Sequence, residues 1–175
     1  MVDGGPSSGG LSLVVEVVRH AEIWHRITPS DDTLAAAAHA AFAAASPERR
    51  APCEVTLVLT DDAEMRALNR TWRGKDSATN VLSFPAGEPL SAIPGEPCPL
   101  GDVVLAGETV RTEARDKGIP VSDHAVHLVV HGMLHILGFD HEREAEAEAM
   151  EALETKVLAG LSITDPYATD AELMP

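Results

Sequence analysis

Three histidines in one short stretch, His131, His135 and His141, have the residue type and spacing of metal ligands. Residues four positions apart on a helix lie on the same face, so the first two imidazoles can reach one point. Gly138 is a natural end for that helix, because glycine adopts the left-handed cap conformation at little cost. The chain can then turn back and bring the third histidine to the same point. Three imidazoles with one open position form the ligand set of a catalytic zinc site.

Ordinary packing is the alternative for any histidine on an apolar helix. Three histidines around a helix-ending glycine fit that alternative poorly, so the metal interpretation is favoured for the set. The same predicted helix carries His124 and His127, for which packing or surface roles are favoured. His127 lies one turn before His131 and shares its face, so it remains an alternative ligand.

The motif lacks a residue that a zinc protease needs. The H-E-x-x-H pattern places a general-base glutamate directly after the first histidine, and this chain has Gly132 there. The other positions agree with the longer H-E-x-x-H-x-x-G-x-x-H pattern. A glycine inside a helix costs about 1 kcal/mol relative to alanine. Its presence is explained either by a substrate that approaches the backbone beside the metal or by tight packing of the helix, and the sequence favours neither.

Residues His131 to His141 resemble the H-G-x-L-H-L-x-G-[YF]-D-H motif of the YbeY family, the bacterial metal-dependent endoribonucleases of ribosomal RNA maturation. Other segments of the chain resemble the same family, and together the resemblance covers roughly residues 12 to 160. These segments are Leu68–Asp76, Thr79–Pro85 and Leu100–Val104.

The resemblance implies a single-strand-specific, metal-dependent endoribonuclease. It would act at the 3′ end of 16S ribosomal RNA and in ribosome quality control. The implied partners are ribosomal RNA and the small ribosomal subunit, with ribosomal or GTPase assembly proteins as further candidates. The resemblance also implies a functional role for Arg73, whereas Lys75 and Ser83 are weaker candidates for substrate binding. One zinc ion is the first choice for three imidazoles, although nickel and other divalent metals also accept them.

A predicted loop at 73–76 contains Arg73, a glycine turn and Lys75. A guanidinium group matches phosphate oxygens with two parallel donors, so this loop is a candidate phosphate contact. The alternative is a surface salt bridge to one of the chain's many acids. In the catalytic interpretation, a metal lowers the pKa of its water to about 7, and Arg73 stabilises charge that develops on the phosphate. The nucleophile is either that activated water or the 2′-hydroxyl of the RNA, with His127 as a speculative base.

Two other functions stay open. One is a metalloprotease-like hydrolase, against which Gly132 counts. The other is a non-catalytic ribosome assembly factor in which the metal only stabilises the fold. The two enzymes differ in their substrates, and the assembly factor differs from both because it should unfold when a ligand histidine is removed.

The net charge of −15, from 28 acidic and 13 basic residues, argues against broad electrostatic binding to nucleic acid. Two features weaken that argument. Four of the 13 basic residues, Arg66, Arg70, Arg73 and Lys75, cluster in one short segment, and the local charge of a cleft can differ in sign from the total. Much of the acid lies near the last predicted helix, where six glutamates are expected to form one solvated face. They are Glu142, Glu144, Glu146, Glu148, Glu151 and Glu154.

The elements that must position these residues follow from hydrophobic periodicity and turn residues. They predict one α+β domain, with a four-stranded mixed sheet packed on helices and a zincin-like metal helix in the core. Residues 1–10 are expected to be disordered, 11–160 to form a YbeY-like metallohydrolase domain, and 161–175 to be a loose tail. The predicted strands are 11–18, 55–60, 81–84 and 101–106. The predicted helices are 33–45, a short one capped by Asp61 or Asp62, 107–117, 121–137, and 141–159 capped by Asp140.

Cellular location is predicted from what the sequence lacks. No run of about 18 apolar residues is present, so no membrane span is expected. The first ten residues do not have the pattern of a secretion signal. Cys53 and Cys98 form no C-x-x-C pair, which favours a reduced cytoplasmic protein and leaves a single disulfide open. The stretch 86–100, rich in proline and glycine, is expected to be an irregular surface loop.

Overall fold

The computed structural model describes residues 12–27, 29–45, 52–87 and 94–168. The predicted disordered segment 1–10 lies outside these residues. Within them the chain forms four strands and five α-helices, with a short 3-10 helix at Glu22–His25. The strands are β1 (Leu13–Arg19), β2 (Cys53–Thr60), β3 (Val81–Pro85) and β4 (Cys98–Ala106). The helices are α1 (Asp31–Ala45), α2 (Asp62–Arg73), α3 (Gly107–Lys117), α4 (Val121–Ile136) and α5 (Glu144–Gly160).

The sheet has the strand order β1-β2-β4-β3. Strands β1, β2 and β4 are parallel, and β3 joins the edge antiparallel to β4. The α+β class with a four-stranded mixed sheet is therefore confirmed. Among the described residues, no helix combines the length and the apolar character needed to cross a lipid bilayer.

Helix α4 lies in the core, where it contacts α1, α3, α5, β3 and β4. Its apolar residues point in several directions and are almost fully buried, as the hydrophobic pattern predicts. Examples are Val126, Val129, Val130, Met133 and Leu134. Burying one side chain of this size contributes roughly 1.5–3 kcal/mol to stability. The histidines of α4 are therefore carried by a helix that packing holds in place.

Strand β4 begins at Cys98, inside the stretch predicted to be a loop. The prolines favour a loop. The β2–β4 ladder nevertheless begins with Cys98 beside Cys53, and after a bulge at Leu100 it continues with Gly101 beside Val55. Gly101 adopts a positive φ of 131° at this bulge, and a Cβ there would collide with the backbone of β3. Part of the predicted loop, residues 88–93, lies outside the described residues. The bulge lies between β2 and β4, whereas the pairing of β4 with the edge strand β3 is uninterrupted.

The prediction for the start of the last helix is wrong. Helix α5 begins at Glu144 rather than 141, and Arg143 occupies the cap position. The carboxylate of Asp140 instead accepts a hydrogen bond from the backbone N–H of His141, at 2.7 Å. The residues between α4 and α5 are used for a turn, so Asp140 does not cap the helix.

Residues 161–168 fold back on α5 rather than forming a loose tail. Leu161 and Ile163 pack against the core, and the N–H of Ile163 donates to the carbonyl of Leu158 at 2.9 Å. The apolar residues of this segment complete the core beside α5. The rest of the predicted tail, 169–175, lies outside the described residues.

Gly132 lets α4 approach the sheet closely. A Cβ at this position would lie 2.6 Å from Cγ1 of Val103 and 3.1 Å from Oγ of Ser83. The hydroxyl of Ser83 donates to the carbonyl of Gly132 at 2.9 Å, so strand and helix are also joined by a hydrogen bond. Of the two explanations for this glycine, the structure supports tight helix packing.

The substitution Gly132→Ala should therefore destabilise the fold by about 1–3 kcal/mol, because the added methyl group overfills a packed contact. Urea unfolding followed by circular dichroism measures the change. Gly160→Ala is the matched control, since a Cβ there meets nothing within 4 Å. The control should differ from wild type by less than about 0.5 kcal/mol. Equal stability of Gly132→Ala and wild type would contradict the packing explanation.

Candidate metal centre and its cleft

The three predicted histidines converge at the C-terminal end of α4. The ring centres of His131 and His135 lie 4.6 Å apart, and that of His141 lies 4.9 Å from His135 and 6.1 Å from His131. The Nε2 atoms of His131 and His135 are 3.0 Å apart, so both nitrogens face the same region. The spacing of four residues on one helix face produces this pair.

The turn after α4 delivers the third histidine. Helix α4 ends at Ile136, and Gly138 follows with a positive φ of 101°. The N–H groups of Gly138 and Phe139 donate to the carbonyls of His135 and Leu134, at 3.1 and 3.0 Å. These bonds satisfy the last carbonyls of the helix while the left-handed glycine reverses the chain. The predicted role of Gly138 as the helix stop agrees with this geometry.

Asp140 joins the cluster as a further potential ligand. One carboxylate oxygen of Asp140, one ring nitrogen of His135 and one ring nitrogen of His141 all lie within 4.8 Å of one another. The sequence interpretation treated Asp140 mainly as a helix cap, with a contact to a ligand imidazole as the weaker possibility. The structure places its oxygen 3.7 Å from Nδ1 of His141, which is longer than a hydrogen bond, so the weaker possibility stays a prediction.

Glu154 is the residue that the sequence interpretation misplaced. It was assigned to a solvated face of α5, but its side chain is 0% exposed. The carboxylate contacts Nδ1 of His131, the hydroxyl of Tyr167 and, at 3.3 Å, Nε2 of His127. Among the six glutamates, Glu142, Glu144, Glu146, Glu148 and Glu151 are exposed, so the solvated face exists without Glu154.

The protonation of this network can be assigned from its chemistry. Burial alone would raise the pKa of Glu154, but hydrogen bonds from His127, His131 and Tyr167 outweigh it and lower the pKa to about 2. Burial and the adjacent carboxylate raise the pKa of the Tyr167 hydroxyl, which stays protonated and donates. An ionised carboxylate only accepts, so Nδ1 of His131 carries a proton. In the neutral ring, Nε2 then presents its lone pair towards His135.

The surroundings of His135 favour its neutral imidazole. Burial lowers its pKa, and the neighbouring imidazoles of His131 and His141 lower it further. Metals bind the neutral imidazole, so a lowered pKa favours the form that coordinates. Three imidazoles with an adjacent carboxylate are a donor set that suits a divalent transition metal.

The histidine cluster opens into a cleft of about 900 Å³. The edge strand β3, the end of α4 with its turn, and the segment between α2 and β3 form its walls. All six residues that the sequence selected for the site line this cleft: Arg73, Lys75, Ser83, His131, His135 and His141. The cations and the histidines thus border the same volume, although they lie far apart along the chain.

The cationic segment divides into paired and unpaired residues. Arg66 donates from Nε and NH2 to both oxygens of Asp76, at 2.8 and 2.9 Å, and lowers the pKa of that carboxyl. Arg70 lies 3.9 Å from the same carboxylate. The salt-bridge alternative therefore holds for these two arginines. Arg73 and Lys75 make no ion pair with any residue in the described part of the chain, so their charges remain available to the cleft.

The two remaining histidines of α4, His124 and His127, do not line the cleft. His124 is buried with Nε2 2.6 Å from a carboxylate oxygen of Glu113, and burial lowers its pKa. His127 faces Glu154 and does not line the cleft. Its position argues against both the ligand role and the speculative role as a catalytic base.

Comparisons with known proteins agree with the motif. The sequence model of the family described as Endoribonuclease YbeY matches residues 22–162. A protein of that name from Azorhizobium caulinodans is 48% identical over 161 residues, which are 91% of this chain and 99% of the relative. Another from Rhodospirillum rubrum is 58% identical over 119 residues, which are 67% of this chain and 60% of the relative. The solution structure of TM1509 from Thermotoga maritima has a TM-score of 0.54 at 20% identity, with 89% of this chain and 100% of that chain covered, and it supports the fold.

Proposed function

Because the chain belongs to the YbeY endoribonuclease family, we propose that it is a metal-dependent endoribonuclease of ribosomal RNA maturation. One observation supports this most directly: a single cleft is lined both by a histidine cluster with the chemistry of a metal site and by two cations, Arg73 and Lys75, that form no ion pair with the described residues. Cations bind the phosphates of RNA, and a metal beside them promotes attack at phosphorus. This local arrangement answers the objection raised by the net charge of −15.

The residues that the sequence selected each have a definite part in this proposal. His131, His135 and His141 would hold one divalent ion, with zinc the first choice. When bound, the metal supplies a Lewis acid for a phosphoryl oxygen and lowers the pKa of water. The guanidinium of Arg73 donates to non-bridging phosphate oxygens and stabilises the charge that grows there in the transition state. Lys75 binds a neighbouring phosphate as a point charge.

The hydroxyl of Ser83 can make fewer hydrogen bonds to a substrate than a free hydroxyl could. Its single O–H donates to the carbonyl of Gly132. Its oxygen can therefore only accept a hydrogen bond from a substrate. A contact from this residue to a nucleobase amino group or a ribose hydroxyl fits the proposal, and a contact to a phosphate oxygen does not.

The finer parts of the proposal rest on the family resemblance. They are specificity for single strands, action at the 3′ end of 16S ribosomal RNA, ribosome quality control and cytoplasmic location. The small ribosomal subunit is the proposed partner, with ribosomal or GTPase assembly proteins as further candidates. The protease alternative is weakened by the packing around Gly132, because Val103 and Ser83 fill the space that a general-base glutamate would need.

The test is cleavage of an end-labelled fragment from the 3′ end of 16S ribosomal RNA by the purified protein. Single-stranded RNA should be cut, the cutting should stop when a chelator removes the metal, and added Zn²⁺ should restore it. The same sequence annealed into a duplex and the protein casein serve as controls and should remain intact. Cleavage that persists in chelator would contradict metal dependence, and degradation of casein would favour the protease.

A further inference from the structure

The burial of the Glu154 carboxylate needs an energetic explanation. It lies on α5 among the buried apolar residues Met150, Val157 and Leu158. Placing an ionised carboxylate in such surroundings is strongly unfavourable unless hydrogen bonds compensate it. Here it has three polar neighbours, and each contributes a ring nitrogen or a hydroxyl. A group that only filled space at this position would be better replaced by an apolar residue.

One of these neighbours is a residue of the metal cluster. The Nδ1–H of His131 donates to Glu154, which fixes both the orientation of the ring and its tautomer. Nε2 is then the nitrogen left with a free lone pair, and it lies 3.0 Å from Nε2 of His135. A carboxylate on the far side of an imidazole also raises its basicity as a ligand.

Tyr167 connects a second segment of the chain to this contact. Its hydroxyl donates to Glu154, and its ring lies edge-on to His127 at 5.8 Å between centres. Asp165 holds the tyrosine in place, because one of its oxygens accepts from the N–H of Tyr167 at 2.8 Å and from the hydroxyl of Thr155 at 3.2 Å. The segment after α5 thus reaches the carboxylate through a defined set of bonds.

We propose that Glu154 is the positioning residue of the metal centre, which orients His131 for coordination, and that Tyr167 acts through it. The segment 161–168 then belongs to the functional site although it lies outside the histidine motif. This inference rests on the metal site of the proposed function. It assigns to Glu154 no contact with RNA and no proton transfer, so its effect is on metal affinity.

The experiment is a competition titration of Zn²⁺ between the full-length protein and a chromophoric chelator. Glu154→Gln keeps the shape and removes the charge, and it should weaken Zn²⁺ binding about 10- to 100-fold. Tyr167→Phe should weaken binding by a smaller factor. In the double variant, Tyr167→Phe should add no further loss, because its effect passes through the missing carboxylate. Glu148→Gln, an exposed change on the same helix, should bind Zn²⁺ like wild type.

A second readout separates positioning from general loosening of the fold. In the metal-free wild type, ¹⁵N spectra of the histidine rings should show His131 in a single tautomer with the proton on Nδ1. In Glu154→Leu, which leaves Nδ1–H without this acceptor, the fixed tautomer should be lost while circular dichroism stays unchanged. If Glu154→Gln does not fold, Tyr167→Phe decides, since it removes only one hydroxyl.

The outcomes distinguish this inference from the function on which it rests. Wild type that binds no Zn²⁺ would overturn both the metal site and the positioning role. Wild type that binds Zn²⁺, together with folded Glu154→Gln and Tyr167→Phe that bind it equally well, would overturn the positioning role alone. Additive losses in the double variant would show that Tyr167 acts independently of Glu154 and would refute that part.

Discussion

Replacing Arg73 with alanine should lower the rate of RNA cleavage by about 10²- to 10³-fold while Zn²⁺ content stays the same. Arg73 is the last residue of α2, and Gly74 ends the helix beside it with a positive φ of 69°. Its side chain lines the cleft and makes no ion pair within the described residues. In the proposed role its loss would remove a donor to the transition state without breaking an ion pair within the described residues. Single-turnover cleavage of the labelled RNA measures the effect.

Arg70→Ala is the matched control for this experiment. Arg70 lies on the same helix less than one turn earlier, carries the same charge and does not line the cleft. Its only ion pair, in the part of the chain that the structure describes, is a long one of 3.9 Å to Asp76. The control should keep most of its activity, apart from a small change from the lost charge. Equal losses for both variants would show that the net charge of the segment matters rather than the position of Arg73.

Replacing His135 with alanine should abolish Zn²⁺ binding and lower cleavage by about three orders of magnitude or more, since the Lewis acid and the activated water are lost together. The fold should survive. The core around α4 is made of apolar contacts that do not involve the metal, and His135 is only half-buried. The free energy of unfolding without metal should fall by about 1 kcal/mol or less. Metal analysis, circular dichroism and urea unfolding measure these three effects.

This variant also separates the enzyme from the assembly factor. If the metal only stabilised the fold, His135→Ala would be unfolded at room temperature. A folded, metal-free variant without activity supports the catalytic role. The metal-free wild type is the control; its free energy of unfolding should exceed that of the variant by no more than about 1 kcal/mol, and it should regain cleavage when Zn²⁺ is added.

The centre of the site was predictable because local rules decide it. A spacing of four residues on a helix brings His131 and His135 together, and the left-handed glycine at 138 turns the chain towards His141. Neither rule depends on the rest of the protein. The same reason explains why the strands and helices agree with the hydrophobic pattern, apart from their ends.

Glu154 and Tyr167 were missed because long-range contacts bring them together with His131. Glu154 reads as one more acid in a glutamate-rich helix, and only the fold shows that a histidine from α4 meets it. The sequence does contain one signal. Position 154 lies between Met150, Val157 and Leu158 on the apolar face of α5, so helical periodicity places a carboxylate in the core. A charged residue that helical periodicity places on a buried face is therefore itself a sequence signal for a functional site.

The ends of the elements depended on competition between neighbouring signals. Asp140 has the character of a helix cap, but the turn that returns His141 takes up the residues before Glu144. The prolines before β4 indicate a loop, yet pairing with β2 extends the strand to Cys98. In both places the tertiary structure outweighed a correct local preference.

The close contact at Gly132 determines how the cleft can move. Packing and a hydrogen bond fasten α4 to β3, so the wall with the histidines and the wall with Ser83 form one rigid body. The opposite side is a connecting segment, held at its base by the bond from Asn69 to the carbonyl of Ser77 and by the pair of Arg66 and Asp76. We therefore expect any adjustment of the cleft's width to come from that connecting segment, while the wall that carries the histidines stays in place.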